Sequence, residues 1–344
     1  MNMLEIYNLV NNAPEYAFLE NNVHLGDNVI LLTLGGSHAY GTNIKGSDVD
    51  IRGCALNTGV ELLTGNDFEV VTEKITDTTI YSFKKLVPLL FNCNPNTIEM
   101  LGCKSEHYIK LAPAGKLLID NADLFLSQKA VYSFSGYANE KLRRLENLTV
   151  EEQTQAVIEK QLLSTMQHMC VNFAEKYNVP EGALKLYLDK AISEDMDTEI
   201  FMDVDFKHYP VRDYCDFCSE LKAVVKTYKT LGCRNSKAIE HKKLGKHMMH
   251  LVRLYLMGID ILEGRGVVTY REKEHSLLMD IRNGVYSNSE TLMPLPIFFD
   301  MVHDLEEKFV YAKNNTTLPV KPDVSKVNDL VVEINKFAFK HLEL

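Results

Sequence analysis

Two aspartates separated by one residue, Asp48 and Asp50, follow a glycine-rich step, Gly35-Gly36-Ser37, that ends an apolar stretch. Side chains two residues apart on a strand point to the same face, so a strand through Asp48 and Asp50 would place both carboxylates side by side. Adjacent carboxylates repel each other unless a cation lies between them, and oxygen ligands suit Mg²⁺. Successive backbone N–H groups in the glycine turn, together with the Ser37 hydroxyl, would bind a phosphate. The spacing therefore predicts a metal site beside an anion site.

The elements that must position these residues are short strands. Residues 29–34 form an apolar run typical of a buried strand, and we expect the chain to resume as a strand that carries both aspartates. Residues 68–81 are enriched in β-branched side chains and predict either one long strand or a hairpin, followed by a helix over residues 82–90. Upstream, residues 3–20 predict a helix that is interrupted near Pro14.

The strings G-S-H-A-Y-G-T at residues 36–42 and S-D-V-D-I-R-G at residues 47–53 resemble the signature of a known superfamily. They are similar to the G-S…D-x-D pattern of the DNA-polymerase-beta-like nucleotidyltransferases. The closer resemblance is to a branch of predicted nucleotidyltransferases that includes the RNA-ligase-associated repair polymerases. The resemblance implies transfer of an NMP from an NTP to an acceptor hydroxyl with Mg²⁺ or Mn²⁺, and it covers residues 30 to 320.

The resemblance also implies roles for individual residues. Asp48 and Asp50 would bind the metal ions together with a third carboxylate on a neighbouring strand, which would also serve as the base. Asp77 is the best match for that third carboxylate, and Glu73, on the same face of the predicted strand, is the alternative. The phosphates of the NTP would lie at Gly36 and Ser37.

Basic residues add candidates for balancing the phosphate charge. Arg52 follows the second aspartate directly, and a helix predicted over residues 236–263 places His247, His250 and Arg253 along one face. The branch carries a similar K-H-x-x-H-x-x-R-L helix, and these side chains would grip the NTP phosphates. The alternatives are a buried structural network, a solvated basic stripe, or a zinc site of a hydrolase, for which no acidic or thiol partner lies nearby in the sequence.

A second segment, N-P-N-T-I-E-M-L at residues 94–101, also resembles the branch. Physically, Asn94-Pro95-Asn96 is a helix-start signal, and Glu99 would complete an arrangement similar to a capping box. We therefore leave Glu99 out of the candidate catalytic set. Arg282, at the end of a helix that a glycine terminates, is a further candidate for approaching the cleft, although helix C-termini favour arginine in any case.

From about residue 128 the pattern changes from strands to helices. Periodic apolar spacing predicts helices over residues 128–147, 152–177, 213–231, 236–263, 290–313 and 324–342, whereas residues 180–210 have mixed signals and receive no assignment. We therefore predict an α+β fold with a catalytic domain over residues 1–127, built on a mixed sheet flanked by helices. A mainly helical domain over residues 128–344 would complete the cleft.

Composition limits the class of protein. No apolar run approaches the roughly 20 residues of a membrane span, no secretion signal is evident, and seven scattered cysteines suggest free thiols in a cytoplasmic protein. Cys215 and Cys218, the one close pair, lack a second pair with metal spacing. The formal net charge of −10 is unlike that of a dedicated nucleic-acid binder.

The acceptor stays open at this stage. The repair-associated branch favours the end of an RNA or DNA strand, and the acidic charge favours a small acceptor or a strand end without excluding RNA. Adenylylation of a protein or a small molecule uses the same chemistry. A catalytically silent nucleotide-binding module with the same fold is the remaining alternative, and the presence of both aspartates beside Gly36 and Ser37 speaks against it.

Overall fold

A computed structural model describes residues 1–146, 163, 179–180, 182–190, 192, 198–219, 221–222, 244–290 and 292–339. Its N-terminal part contains five strands: β1 Val29–Leu34, β2 Ile51–Ala55, β3 Val70–Glu73, β4 Thr78–Ser82 and β5 Tyr108–Leu111. They form one mixed sheet in the order β3-β4-β2-β1-β5. Strands β2 and β4 run parallel, and every other neighbouring pair is antiparallel.

Helices flank the sheet and then take over the chain. The N-terminal helices are α1 Met3–Asn12, α2 Phe18–Asn21, α3 Gly36–Tyr40, α4 Gly59–Thr64, α5 Phe83–Phe91, α6 Pro95–Ile98, α7 Pro113–Asp120 and α8 Lys129–Glu146. The C-terminal helices are α9 Leu244–Leu262, α10 His275–Arg282, α11 Pro296–Asn315 and α12 Val324–Asn335. Short 3₁₀ helices lie at Pro14–Tyr16, Gly26–Asn28, Glu99–Gly102, Ser105–His107, Ala122–Phe125 and Lys336–Phe339. The predicted α+β class is confirmed.

The chain divides into two compact units. One combines Met1–Leu142 with Gly245–Leu344, and the other is Arg143–Leu244. The first unit therefore contains the sheet and nearly all of helices α9 to α12. The predicted division of the chain into domains at residue 127 stays a prediction.

The second unit contains a strand pair within residues 180–210, to which the sequence assigned no structure. Strands β6 Leu184–Lys190 and β7 Thr198–Val204 form an antiparallel sheet, and residues 211–219 are helical. Leu186, Phe217 and Leu221 form a small buried cluster. The helix predicted over residues 152–177 lies outside the described residues, except for position 163.

Several predicted elements match the structure and one does not. Helix α1 ends at Asn12 before the 3₁₀ turn at Pro14, as the interruption predicted. The segment over residues 68–81 is the hairpin of β3 and β4. The prediction that a strand carries both aspartates is wrong, because β2 begins at Ile51, directly after Asp50.

The core of the sheet lies around β1, in which all six residues are buried. Ile6 and Val10 of α1 join strand residues such as Leu32 and Ile51 in one apolar cluster. In β2, only Arg52 is partly exposed. A strand buried on both faces is a rigid base, so the turns at its ends are held in place. Among the described residues, none of the helices has the length and apolar character needed to cross a membrane.

Candidate active site

Asp50 and Asp77 meet at one end of the sheet, because each directly precedes one of the two parallel strands β2 and β4. Ile51 pairs with Thr78 at the start of β2 and β4, so the residues just before each strand are neighbours. The backbone N–H of Ile51 donates to the carbonyl oxygen of Asp77 at 3.3 Å. Asp77 lies in the turn before β4 with φ +43°, a conformation that aspartate tolerates better than most residues. It is therefore a turn residue and does not lie in the strand where alternation had placed it.

The two carboxyl groups are in hydrogen-bond contact, which affects the pKa of Asp50. Burial raises the pKa of Asp50 from 3.8 to about 6, and the hydrogen bond and the charge of Asp77 add to this effect. Arg52 and Lys246 oppose the rise in that pKa through their positive charges. Asp77 itself is open to solvent, with its side chain 62% exposed. Two carboxyl groups in contact, one of them with a raised pKa, form a place where a cation would be stabilised.

Gly36 and Ser37 begin the short helix α3 directly beside Asp50. The backbone N–H of Gly35 donates to the carbonyl oxygen of Asp50 at 2.8 Å, so the turn after β1 is joined to the start of β2. Gly36 has φ +53°, and the carboxylate of Asp50 lies against its Cα. Ser37 is buried and lines the neighbouring cavity. The structure thus brings the glycine–serine step and the second aspartate together, as predicted.

Asp48 and Glu73 are placed differently. Asp48 is exposed in the segment before β2, outside the strand. Glu73 lies in the edge strand β3, where its carboxylate accepts a hydrogen bond from the backbone N–H of Ile75 at 3.1 Å. Within the part of the chain that the structure describes, no group of three or more His, Cys, Asp or Glu side chains is close enough to hold a metal ion.

Arg52, in β2, contacts the residue that precedes β4. Its Nη1 donates to the carbonyl oxygen of Asp77 at 2.8 Å and lies 3.7 Å from Oδ1 of the same residue. Its side chain also lines the cavity beside Gly36. The guanidinium therefore supports the Asp77 turn and adds positive charge next to the carboxyl pair.

A cavity of about 370 Å³ opens next to these residues, and we call it the site cavity. It has the size of a small-molecule site. Its basic lining residues come from three elements, β2, α8 and α9. The full lining is Gly36, Ser37, Tyr40, Arg52, Thr79, Tyr81, Asn96, Glu99, Lys141, Lys246, His247, Met249 and His250.

A buried ion pair lies beneath the site cavity. Arg253 is 1% exposed, and its Nη1 donates to Glu99 Oε2 at 2.9 Å. The Tyr40 hydroxyl donates to the same carboxylate at 2.9 and 3.0 Å, and the guanidinium stacks on the Tyr40 ring at 3.6 Å. The capping role considered for Glu99 is wrong, since Asn94 caps its helix through the N–H of Asn96.

His250 contacts this network and is surrounded by cations. Arg253 Nη2 donates to His250 Nδ1 at 3.2 Å. Burial lowers the pKa of His250 well below its usual value, and the charges of Arg253 and Lys141 lower that pKa further. His250 is therefore neutral at physiological pH. Arg253 is engaged with Glu99 and does not line the site cavity, so the phosphate contacts predicted for both residues remain predictions.

Residues 13–169 match a family model described as the RNA repair pathway DNA polymerase beta family. The resemblance to the DNA-polymerase-beta-like nucleotidyltransferases is confirmed. The matched range includes the whole five-stranded sheet, and helices α9 to α12 lie outside it. Comparisons with curated proteins and with solved structures found no match.

A nucleotidyltransferase of this branch implies a divalent cation, and Asp50 and Asp77 fit one. Two carboxyl groups in contact, one of them with a raised pKa, are the donor set that a hard cation would stabilise. Mg²⁺ commonly binds one or two carboxylates and fills its other positions with water and substrate phosphates. The pair suffices for such a site, and Asp48, two residues upstream and exposed, is the nearest further carboxylate in the sequence.

Sequence reasoning missed several residues that line the site cavity. Tyr40, Tyr81 and Lys141 were not singled out, and Asn96 was considered only as a capping residue. Lys246 precedes His247 in the K-H-x-x-H motif, so its position was a usable signal. Nothing in the local pattern marks Tyr81 or Lys141, because only the packing of β4 and α8 brings them to the cavity.

Proposed function

We propose that this protein transfers a nucleoside monophosphate from an NTP to an acceptor hydroxyl with Mg²⁺ or Mn²⁺. The observation that carries the proposal is the contact between Asp50 and Asp77 at the shared end of two parallel strands, directly beside Gly36. The family match supports the reaction class. The adjoining cavity of about 370 Å³ has room for a nucleotide.

Each residue has a definite part in this proposal. Asp50 and Asp77 hold the cation, and Asp48, two residues upstream of Asp50, would join them only if the segment before β2 moved. The cation, when bound, neutralises phosphate charge and lowers the pKa of the acceptor hydroxyl. The N–H groups at Gly36 and the Ser37 hydroxyl donate to the β- and γ-phosphates, while Arg52 balances charge.

The chemical step is a displacement at the α-phosphorus. The acceptor oxygen forms the new P–O bond, the bond to the bridging oxygen breaks, and pyrophosphate leaves. Asp77 accepts the proton of the acceptor hydroxyl, and its exposed carboxylate is open to an incoming group. The protein mainly positions the reactants and stabilises charge.

For the acceptor, we propose the end of a nucleic-acid strand. The description of the matching family places it in an RNA repair pathway. The formal net charge of −10 means that any contact with a strand is local, because long phosphate tracks require a basic surface. A short contact at a strand end satisfies both observations.

The test is a transfer assay with labelled NTPs, Mg²⁺ or Mn²⁺, and RNA or DNA oligonucleotides. We expect the wild type to extend or label a strand end, and Asp50→Asn and Asp77→Asn to lose at least about 100-fold in rate. Asp329→Asn, an exposed carboxylate on α12, is the matched control and should retain full activity. Full activity in both Asp50→Asn and Asp77→Asn would overturn the proposal.

The other acceptors and the silent module give different results in the same experiment. Mass spectrometry of protein and small-molecule pools after incubation with NTP would detect adenylylation of either class. Binding of NTP in calorimetry without transfer to any acceptor would indicate a nucleotide-binding module.

A further inference from the structure

The two ends of the site cavity differ in chemistry. At one end, Gly36 and Ser37 adjoin the Asp50–Asp77 pair, and Lys246 is near enough to lower the pKa of Asp50. Tyr81, Asn96 and His250 also line the cavity, and each is close to Glu99. Burial raises the pKa of Tyr81 and the charge of Glu99 raises it further, Arg253 joins Glu99 to His250, and Asn96 precedes Glu99 by three residues, so we take these three residues as the second end. The first end matches a chelated polyphosphate. The second offers an aromatic face and neutral hydrogen-bonding groups.

Two elements set the distance between these ends. Along β4, Tyr81 lies three residues beyond Thr78, the residue after Asp77, which corresponds to about 10 Å at ~3.3 Å per strand residue. Along α9, His250 lies one turn beyond Lys246, about 6 Å at ~1.5 Å per helical residue.

The protonation pattern of His250 follows from its contact with Arg253. A guanidinium can only donate, so His250 Nδ1 must accept the hydrogen bond from Arg253 Nη2 at 3.2 Å. The neutral imidazole then carries its proton on Nε2. Burial and the charges of Arg253, Lys141, His247 and Lys246 all favour the neutral form. His250 therefore offers one donor and no positive charge.

We propose that the Tyr81, Asn96 and His250 end of the site cavity binds the nucleobase and sets which NTP is used. The base would stack on the Tyr81 ring, and a carbonyl oxygen or ring nitrogen would accept from His250 Nε2–H. The Asn96 amide, on an exposed position of α6, would form a further hydrogen bond with the edge of the base. This inference rests on the proposed function and adds the determinant of base selectivity.

Lys141 also lies at this end, since its charge lowers the pKa of His250. The competing occupant is therefore an anionic group, such as a phosphate of the acceptor strand. The two occupants require different protonation states of His250. A phosphate would be bound by the positively charged imidazolium, whereas a base requires the neutral imidazole with a directed N–H donor.

The experiment measures equilibrium binding of ATP, GTP, CTP, UTP and inorganic tripolyphosphate by calorimetry in the presence of Mg²⁺. We expect the wild type to discriminate among the four NTPs. Asn96→Ala and His250→Ala should reduce that discrimination about tenfold, the loss typical of one directed hydrogen bond, and leave tripolyphosphate affinity unchanged. His250→Gln, which retains a neutral donor, should keep part of the discrimination. Lys246→Ala should weaken all five ligands alike.

Other outcomes separate the two proposals. If His250→Ala and Asn96→Ala weaken tripolyphosphate as much as NTP, or leave the ranking of the NTPs intact, the assignment of the base end is overturned while the proposed function stands. If the wild type binds neither NTP nor tripolyphosphate, both are overturned. Because Asn96 is exposed, Asn96→Ala decides the question even if His250→Ala fails to fold.

Discussion

The carboxylate of Asp50 lies against the backbone of Gly36, so closely that a Cβ at residue 36 would come within 1.7 Å of Asp50 Oδ2. Gly36 also has φ +53°, which L side chains rarely adopt. The glycine of the glycine–serine step is therefore required by the second aspartate, although the two residues are 14 positions apart in the chain. The proposed phosphate site and the proposed metal site share one surface.

Gly36→Ala should therefore displace the Asp50 carboxylate. We expect transfer activity to fall at least about 100-fold, because a displacement near 1 Å at a reacting centre has this effect, and stability to fall by about 1–3 kcal/mol. Gly65→Ala is the matched control, since Gly65 has φ +69° with open space around it. Equal losses of activity in the two variants would show that the contact with Asp50 is unimportant.

The raised pKa of Asp50 predicts that Asp50→Asn stabilises the metal-free protein at alkaline pH. The folded-state pKa of about 6 lies above the value of 3.8 expected without burial, so the folded state favours the protonated carboxyl. This contribution is complete below about pH 4 and is lost as the pH rises through about 6. At pH 8 the substitution should stabilise by about 1–3 kcal/mol, at 1.36 kcal/mol per pKa unit, and near pH 3.5 it should have little effect.

Denaturation curves over this pH range, without metal, measure the difference. Added Mg²⁺ should raise the melting temperature of the wild type at pH 8 and have less effect on Asp50→Asn, because a ligand stabilises the state that binds it. A less stable Asp50→Asn protein at pH 8 would contradict the predicted free-energy cost of the charged, buried Asp50 carboxylate.

Glu99→Ala should be strongly destabilising. It leaves Arg253 buried without its carboxylate partner and removes the acceptor of the Tyr40 hydroxyl. Breaking a buried ion pair from one side costs about 3–5 kcal/mol, which urea denaturation can measure. Glu272→Ala is the control, because Glu272 forms an exposed ion pair with Lys104 at 2.7 Å and its loss should leave the midpoint nearly unchanged. Similar midpoints for the two variants would refute this account.

His275→Ala should lower the turnover rate without unfolding the protein. His275 Nε2 donates to the carbonyl oxygen of Gly41 at 2.8 Å, and Arg282 Nη2 donates to Ser47 Oγ at 3.4 Å. Helix α10 thereby holds both ends of the loop between α3 and Asp48. Loosening that loop should reduce kcat about 10- to 100-fold, as for other residues that orient metal-binding groups, with a smaller change in KM.

His303→Ala is the control for this prediction, since the side chain of His303 is 70% exposed on α11. Steady-state kinetics and melting temperatures should be measured together for both variants. An unchanged kcat in His275→Ala would show that the loop keeps its position without this hydrogen bond.

By itself, the sequence determined the family resemblance and most of the sheet. The order of apolar runs predicted β1 and the β3–β4 hairpin, because burial and turn chemistry leave a local pattern. The glycine–serine step and Asp50 were found for the same reason, since their types and spacing are properties of the chain. The prediction of a strand through Asp48 was wrong, because alternation of apolar and polar residues does not show at which residue strand pairing begins.

Only the tertiary structure decided the surroundings of these residues. The parallel pairing of β2 with β4 places Asp77 against Asp50, although 26 residues separate them in the chain. The contacts that join Glu99, Arg253 and His250 were likewise set by the tertiary structure, because Glu99 is distant in the chain from the helix that carries the other two residues. Residue type and spacing are local properties of the chain, so the candidate residues could be predicted from the sequence. Desolvation and pairing depend on segments that are distant in sequence, so the pKa shifts and ion pairs of these residues could not.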